Sequence, residues 1–187
     1  MKKRVLIVLL LCCSLLSLCA CGKKKPDYPQ IAQYYTDHDF TAQYTVTTHA
    51  GFYAEYQLDC RLENGSSRVT ILAPDSVAGV CAVLQGDGAV LQYEDVSVDT
   101  LLPEIKGYAP MDALHVLIMQ MKGEEPDFLG YESDKITLEY RNMLSDGSEC
   151  MKTISLHPKT LDLQNAECYL DGSLVLALHM EQLVWDS

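Results

Sequence analysis

Hydrophobic and polar side chains alternate along most of this chain from residue 40 onward. The period of two is typical of a β-strand with one buried face. The clearest segments are 40–46 and 56–62, and the pattern returns in 77–85, 89–94, 135–143, 150–157, 163–170 and 173–183. Short strands that follow one another through tight turns predict an antiparallel meander in a mainly β (α+β) domain.

Asn64-Gly65 is the strongest turn signal in the chain, because this dipeptide favours a two-residue hairpin turn. A turn centred there pairs Cys60 with Val69 and Leu58 with Ile71. The register places apolar side chains opposite one another on one face, as a sheet with one buried face requires. The sequence therefore predicts this hairpin together with its register.

One internal segment has the helical period instead. Between Ala109 and Met121 the apolar residues recur at helical spacing, and Pro110 stands in the first turn, where proline is tolerated. A shorter helix is predicted over 31–37. The longer helix is the expected cover for the apolar face of the sheet. Sheet and helix either fill the space between them as a core, or leave an apolar groove for an acyl chain or an apolar peptide.

The first 21 residues have the order of an export signal. Lys2, Lys3 and Arg4 precede an apolar run over 5–18 that is short for a membrane-spanning helix. The sequence Leu18-Cys19-Ala20-Cys21 resembles the lipobox of bacterial lipoproteins. In those proteins the signal is cut before the cysteine, whose thiol then carries diacylglycerol. The alternative is an N-terminal anchor that is not cleaved.

These features predict a lipoprotein signal peptide over 1–20, a tether over 21–30 and a single β domain over 31–187. Lipidation at Cys21, with palmitate among the acyl groups, places the domain on the extracytoplasmic face of the bacterial cell membrane. The chain has a net charge of −12, and Lys2, Lys3, Arg4 and the lysines at 23–25 all precede the domain. The acidic domain is repelled by nucleic acid, so we expect no nucleic-acid partner.

Four cysteines follow the lipidation site: Cys60, Cys81, Cys150 and Cys168. They form no CxxC pair and none of the cysteine and histidine spacings of zinc sites. If neighbouring strands pair in sequence order, Cys60 and Cys81 are two strands apart and beyond the reach of a disulfide. Cys150 and Cys168 lie on the two arms of one predicted hairpin, where they form either a bridge or two buried free thiols.

Catalytic motifs are absent from the sequence. It contains no GxSxG, no HExxH and no glycine-rich phosphate loop, and its five histidines are scattered. His115 and His179 are expected to be hydrogen-bonded or exposed at an edge rather than to bind a ligand. We therefore expect a protein that is not an enzyme and has neither a cofactor nor a metal.

Several strand-and-turn segments resemble the LolA/LppX-type lipoprotein-carrier superfamily. The proline that ends one segment and the glycine five residues later, Pro74 and Gly79, follow the pattern of that group. The segments that carry the resemblance are Phe40 to Tyr44 with Gly51, 68–74, Asp87-Gly88 with Leu91 and 93–94, 138–140, 156–161, 166–169 and 171–172. The resemblance implies a curved antiparallel half-barrel with helices covering its concave face.

Members of that superfamily carry lipoprotein acyl chains or other lipids, or bind partners at the envelope. By resemblance, the expected function is binding of a lipid or a lipoprotein acyl chain in the groove. The candidate ligand-binding residues are Phe40, Tyr44, Val46, Tyr56, Leu58 and Ile71 on the strands and Leu114, Leu117, Ile118 and Met121 on the helix. The alternative is a non-catalytic envelope scaffold that regulates a partner such as a cell-wall amidase, as in the germination lipoproteins. The soluble carriers of the group lack a lipid anchor, whereas this chain is expected to have one. The resemblance therefore does not imply that this chain shuttles between membranes.

Overall fold

The structure, a computed structural model, describes residues 25–49, 51, 53–103 and 105–186. The predicted signal peptide, Cys21 and the first part of the predicted tether lie outside the described residues. Within the described part, no helix has the length and hydrophobicity needed to cross a membrane.

In this part of the chain, eleven strands form one antiparallel sheet and two helices pack on it. The strands are β1 (Phe40–Thr48), β2 (Ala54–Glu63), β3 (Ser66–Ala73), β4 (Cys81–Gln85), β5 (Gly88–Tyr93), β6 (Val96–Leu101), β7 (Phe128–Tyr131), β8 (Ile136–Met143), β9 (Glu149–Leu156), β10 (Leu163–Leu170) and β11 (Ser173–Trp185). The helices are α1 (Tyr28–Asp37) and α2 (Ala113–Gly123).

The sheet has two meandering arms that meet at its centre. Its strand order is β6-β5-β4-β3-β2-β1-β11-β10-β9-β8-β7, so the first and last strands are neighbours. The segment between β6 and β7 contains α2 and joins the two free edges of the sheet. The predicted α+β fold, an open antiparallel half-barrel with helices over its concave face, is confirmed.

The core lies between the concave face and the two helices. Along β1, Phe40, Ala42, Tyr44 and Val46 are buried while the intervening residues are partly or fully exposed, as the alternation predicted. The predicted hairpin at Asn64-Gly65 is also confirmed, with Cys60 opposite Val69 and Leu58 opposite Ile71. One continuous apolar cluster extends from Ile31 on α1 to Leu178 on β11.

Both helices have boundaries that differ from the predicted ones. Helix α1 begins at Tyr28 rather than residue 31, because Asp27 and Gln30 form a capping box, so the last residues of the predicted tether are helical. Helix α2 begins at Ala113 rather than Ala109. The Asp112 carboxylate accepts hydrogen bonds from the backbone N–H groups of Gly107 and Ala109, which holds the preceding residues in a turn.

Three features of the sheet differ from the sequence expectation. Strand β4 begins at Cys81 rather than residue 77, because residues 75–79 form a turn that ends at Gly79 with a φ of +85°. Strands β6 and β7, at the two edges of the sheet, were not predicted. All six residues of β6 are exposed, and the alternation of apolar and polar residues in its sequence extends only from Val96 to Asp99.

Candidate functional site

An apolar cavity of about 430 Å³ lies between the outer strands of the first arm and the chain that leads into α2. We call it the apolar cavity. Its sheet side is formed by Tyr56, Ile71, Ala82, Leu84, Ala89 and Leu91, and its other side by Val77 and residues 100–103 and 109–112. Thr100 and Asp112 are its polar members apart from the Tyr56 hydroxyl. Such a lining suits a hydrocarbon chain better than a polar ligand.

The apolar surface continues from this cavity to the edge of the sheet. Leu91 and Tyr93 on β5 are paired with Val98 and Val96 on β6, and paired residues point to the same face of a sheet. Leu91 is in turn opposite Ala82, which lines the cavity, so all of them lie on the concave side. Val96 and Val98 are 63% and 52% exposed. The half-barrel therefore has an open apolar end at β5 and β6.

Only part of the candidate ligand-binding set lines this cavity. Tyr56 and Ile71 do. The other eight residues are at most 1% exposed and pack against one another in the core: Phe40, Tyr44, Val46, Leu58, Leu114, Leu117, Ile118 and Met121. Met111, which precedes α2, lines the cavity although it was not in the candidate set. Ligand contact by the candidate residues stays a prediction.

A second cavity, of about 600 Å³, lies on the other side of the segment before α2, and we call it the polar cavity. One wall is formed by the first arm and the segment before α2, with Gly86, Asp87 and residues 102, 105, 106 and 108. Helix α2 and the residue after it form a second wall, with His115, Val116, Met119, Gln120 and residues 123–124. The second arm contributes Asn142, Leu144, Cys150 and Lys152. Leu102 lines both cavities, so the two are neighbours.

A buried acidic side chain organises the segment between the cavities. Asp112 accepts hydrogen bonds from the backbone N–H groups of Gly107 and Ala109, each at 3.0 Å. Burial raises the pKa of this carboxyl, while the hydrogen bonds from the two N–H groups and the charge of Lys152 act in the opposite direction. Asp112 therefore fixes the loop that separates the cavities, and both of its oxygens already have partners.

His115 and His179 are both hydrogen-bonded within the domain. His115 is 2% exposed, and its Nδ1 is hydrogen-bonded to the Ser67 hydroxyl at 2.8 Å. Burial lowers the pKa of His115, and the charge of Lys122 lowers it further. His179 lies on β11 with its Nδ1 2.7 Å from the Asn165 side-chain oxygen. In the described part of the chain, no group of three or more histidine, cysteine or acidic side chains is arranged to hold a metal ion.

The four thiols of the domain are free and buried, which is one of the two predicted alternatives. Cys168 lies opposite Lys152, and Cys150 lies opposite Leu170 on the same pair of strands. Burial raises the pKa of Cys60 and of Cys168 to about 12. These thiols are therefore protonated at neutral pH and act as apolar side chains.

Sequence reasoning missed Lys152 and Asp112. Lys152 occupies an inward position of β9, in the alternating series Cys150, Lys152, Ile154 and Leu156. This alternation was a signal that one lysine of the chain points into the domain. Asp112 had no comparable signal, because an acidic residue at the start of a helix is most often an exposed cap.

Known proteins are similar to this chain in fold and distant in sequence. No protein-family model matches the chain, and no curated protein matches it significantly. A LolA superfamily protein from Nitrosomonas europaea has 11% identity over 87% of this chain and 94% of its own, with a TM-score of 0.47. The lipoprotein LppX from Mycobacterium tuberculosis has 13% identity over 86% and 93%, with a TM-score of 0.44.

A chain of the complex between the CwlD amidase and the GerS lipoprotein from Clostridioides difficile has 13% identity over 89% of this chain and 96% of its own, with a TM-score of 0.39. Structures of the LolA and LppX type, which the sequence resembles, are thus among those similar to this chain. At these identities and TM-scores, the likeness assigns no ligand, partner or activity to the chain.

Proposed function

We propose that this chain is a lipid-anchored extracytoplasmic protein that binds an acyl chain of a lipid or a lipoprotein in the apolar cavity. The observation that carries the proposal is the apolar cavity itself, which lies on the concave side of the half-barrel. Its volume of about 430 Å³ is within the range of small-molecule sites. The other cavity of the concave side has polar and charged side chains in its wall, so the space at β3 to β6 is the apolar one of the two.

The chemistry of the lining supports a hydrocarbon occupant. Aliphatic side chains form most of the wall, and removing apolar surface from water is favourable in proportion to its area. Asp112 is the charged member, and its carboxylate oxygens are engaged by the backbone of Gly107 and Ala109. A polar ligand would find few free partners in this cavity.

The exposed apolar surface of β5 and β6 gives the occupant an entrance. Leu91 lines the cavity and is 38% exposed, and Leu101 lines it and is 76% exposed. Large exposed apolar side chains that are contiguous with a cavity are typical of a binding groove. An acyl chain that leaves a membrane or a partner lipoprotein would pass over these residues.

Photo-crosslinking in a bilayer tests the proposal. The full-length chain is placed in nanodiscs that contain a phosphatidylethanolamine with a photoactivatable palmitoyl chain, and labelled peptides are identified by mass spectrometry. Labels are expected on the peptides that contain Met111 and Leu91. The variant Leu91→Arg places a charge at the entrance and is expected to reduce this labelling at least fivefold.

Leu72→Arg is the matched control. Leu72 is 47% exposed and neighbours the inward-facing Ile71 on β3, so it points to the convex face. This variant is expected to retain the labelling of the unmodified chain. Equal labelling of the two variants, or labels spread over the convex face, would contradict acyl binding in the cavity.

A second candidate function is supported by the edge strand. β6 ends the sheet, so one row of its backbone N–H and C=O groups has no strand partner among the described residues. Its exposed Val96 and Val98 add an apolar face. An extended segment of a partner protein that pairs with β6 would satisfy both features.

Site-specific crosslinking from β6 tests this alternative. A photoreactive phenylalanine analogue at position 97 of the full-length chain is expected to capture one envelope protein, and the purified protein is expected to bind the chain directly. The variant Val98→Pro, which blocks pairing at an edge strand, should abolish that binding. Direct binding that survives this substitution would argue against strand addition.

A further inference from the structure

Lys152 is a buried lysine whose side chain has no partner in the described structure. Only 7% of its surface is exposed, and it lines the polar cavity. None of the ion pairs formed by residues 25–49, 51, 53–103 and 105–186 includes it, and none of their hydrogen bonds uses its ammonium. A lysine ammonium carries three hydrogen-bond donors, and in the described structure none of them has a protein acceptor.

The surroundings of this ammonium are fixed by other contacts. It lies 5.7 Å from the centroid of the Tyr108 ring, within the range of a cation–π interaction. The Tyr108 hydroxyl donates to the backbone oxygen of Tyr169 at 2.7 Å, which holds the ring in place. A Cβ atom at Gly107 would lie 3.3 Å from Lys152 Nζ, so glycine at this position leaves room for the ammonium.

The charged groups around the cavity are already engaged. The Asp112 oxygens accept two backbone N–H groups. Glu124 accepts a hydrogen bond from Gln120 at 2.8 Å. At the rim, Lys106 pairs with Asp87 at 2.5 Å. Among the charged side chains of the cavity wall, Lys152 is thus the one without a hydrogen-bond or ion-pair partner in the described residues, and the Gln120 side-chain oxygen of the same wall also has no partner.

Two acidic side chains act against the effect of burial on Lys152. Burial lowers the pKa of Lys152, and the charges of Asp112 and Glu124 act in the opposite direction. None of these groups is in ion-pair contact with Lys152 in the described structure. They favour the charged form while leaving the donors of the ammonium available.

We propose that the polar cavity binds an oxyanion, the chemistry shared by phosphate and carboxylate groups, and that the Lys152 ammonium is its anchor. The anion supplies the acceptors that Lys152 lacks. It comes either from a free anion or from the headgroup of an amphiphile, whose chain would extend past Leu102, the residue shared by both cavities. The site does not depend on acyl binding in the apolar cavity, because Lys152 lines only the polar one.

Equilibrium dialysis of the full-length chain in dodecyl maltoside, a detergent without an oxyanion, tests this site. The probes are inorganic phosphate, hexyl phosphate, hexanoate and the neutral hexanol. At least one of the three anions is expected to bind at one per chain and at least tenfold more tightly than hexanol. Binding of inorganic phosphate indicates a free anion as the source, and binding of the two amphiphiles alone indicates a headgroup.

Lys152→Met keeps an unbranched side chain that is one atom shorter and removes its charge, a change that buried sites commonly tolerate. It is expected to weaken anion binding at least tenfold. Lys159→Met is the matched control, since Lys159 is exposed and lies outside both cavities. This control is expected to bind like the unmodified chain. Anion binding that is absent, or equal in the chain and in Lys152→Met, would overturn the proposal.

A measurement on the unmodified chain covers the case in which Lys152→Met does not fold. Trace acetylation by acetic anhydride reports the accessibility of each lysine amine by mass spectrometry. A bound anion is expected to slow the acetylation of Lys152 at least threefold relative to Lys159. The same relative rate with and without saturating hexyl phosphate, hexanoate and phosphate would also overturn the proposal.

Discussion

The Ser67 hydroxyl on β3 and Nδ1 of His115 on α2 lie 2.8 Å apart, and both residues are buried. This hydrogen bond is a polar link between the helix and the concave face of the sheet. It lies beside the polar cavity, which His115 lines. The position of α2 therefore depends on a specific polar contact as well as on apolar packing.

Removing this contact is expected to destabilise the fold. Ser67→Ala leaves the buried His115 ring nitrogen without its partner, which costs about 1 to 3 kcal/mol. Urea unfolding monitored by circular dichroism measures the change. Ser173→Ala is the control, because Ser173 is exposed at the start of β11, and we expect a change within about 0.5 kcal/mol. Similar stability of the two variants would show that the Ser67–His115 bond contributes nothing.

Asp112 gives a second test of the segment between the cavities. Asp112→Ala removes the acceptor of two backbone N–H groups, and we expect a loss of about 2 to 3 kcal/mol in the free energy of unfolding. Asp112→Asn retains one acceptor oxygen and should lose less. Asp99→Ala, at an exposed position of β6, is the control. If Asp112→Ala were as stable as this control, Asp112 would not hold the loop.

The buried helix and the cavity wall should respond differently to truncation. Leu117 is fully buried in the core, so Leu117→Ala is expected to cost about 2 to 5 kcal/mol. Met111 is half-buried and lines the apolar cavity, so Met111→Ala should cost less stability and weaken lipid labelling more. Urea unfolding and the crosslinking yield are measured on both variants. If the ratio of lost crosslinking yield to lost unfolding free energy were the same for Met111→Ala and Leu117→Ala, the two residues would have the same role.

The buried thiols predict a dependence of stability on pH. The pKa values of Cys60 and Cys168 are raised to about 12 in the folded chain from an ordinary value near 9. The folded state therefore retains protons that the unfolded state releases above pH 9. This contribution to stability is fully present below pH 9 and is lost as the pH rises toward 12.

Unfolding free energies of the unmodified chain and of the double variant Cys60→Ala/Cys168→Ala, measured at pH 7 and pH 10, test this prediction. The double variant is less stable at both pH values because it leaves cavities, but its loss between them should be smaller. A decrease of the same size in both chains would show that the thiols are not responsible.

The parts of the fold that were predicted correctly are those where local signals agree. At the Asn64-Gly65 hairpin, turn chemistry and alternation specify the same register. On β6 the alternation covers only Val96 to Asp99, and no residue of this edge strand is buried. The cavities depend on how far residues 102–112 stand from the sheet. The Tyr108 hydroxyl ties this segment to the backbone oxygen of Tyr169 in the second arm, a contact between distant parts of the chain that no local pattern encodes.

The candidate ligand-binding set shows the same limit. Alternation identified which side chains face the concave side, and all of the strand candidates do. It did not distinguish a position that is fully buried in the core, such as Leu58, from one that lines the apolar cavity, such as Ile71. Whether an inward residue belongs to the core or to a cavity is decided by tertiary packing.

Native mass spectrometry of the full-length chain released from nanodiscs, followed by extraction and identification of bound lipid, tests the central claim most directly. We expect one acyl ligand per chain in addition to the covalent anchor, retained by Leu72→Arg and lost by Leu91→Arg. A chain that carries no ligand and takes up none on titration with lipid would contradict acyl binding.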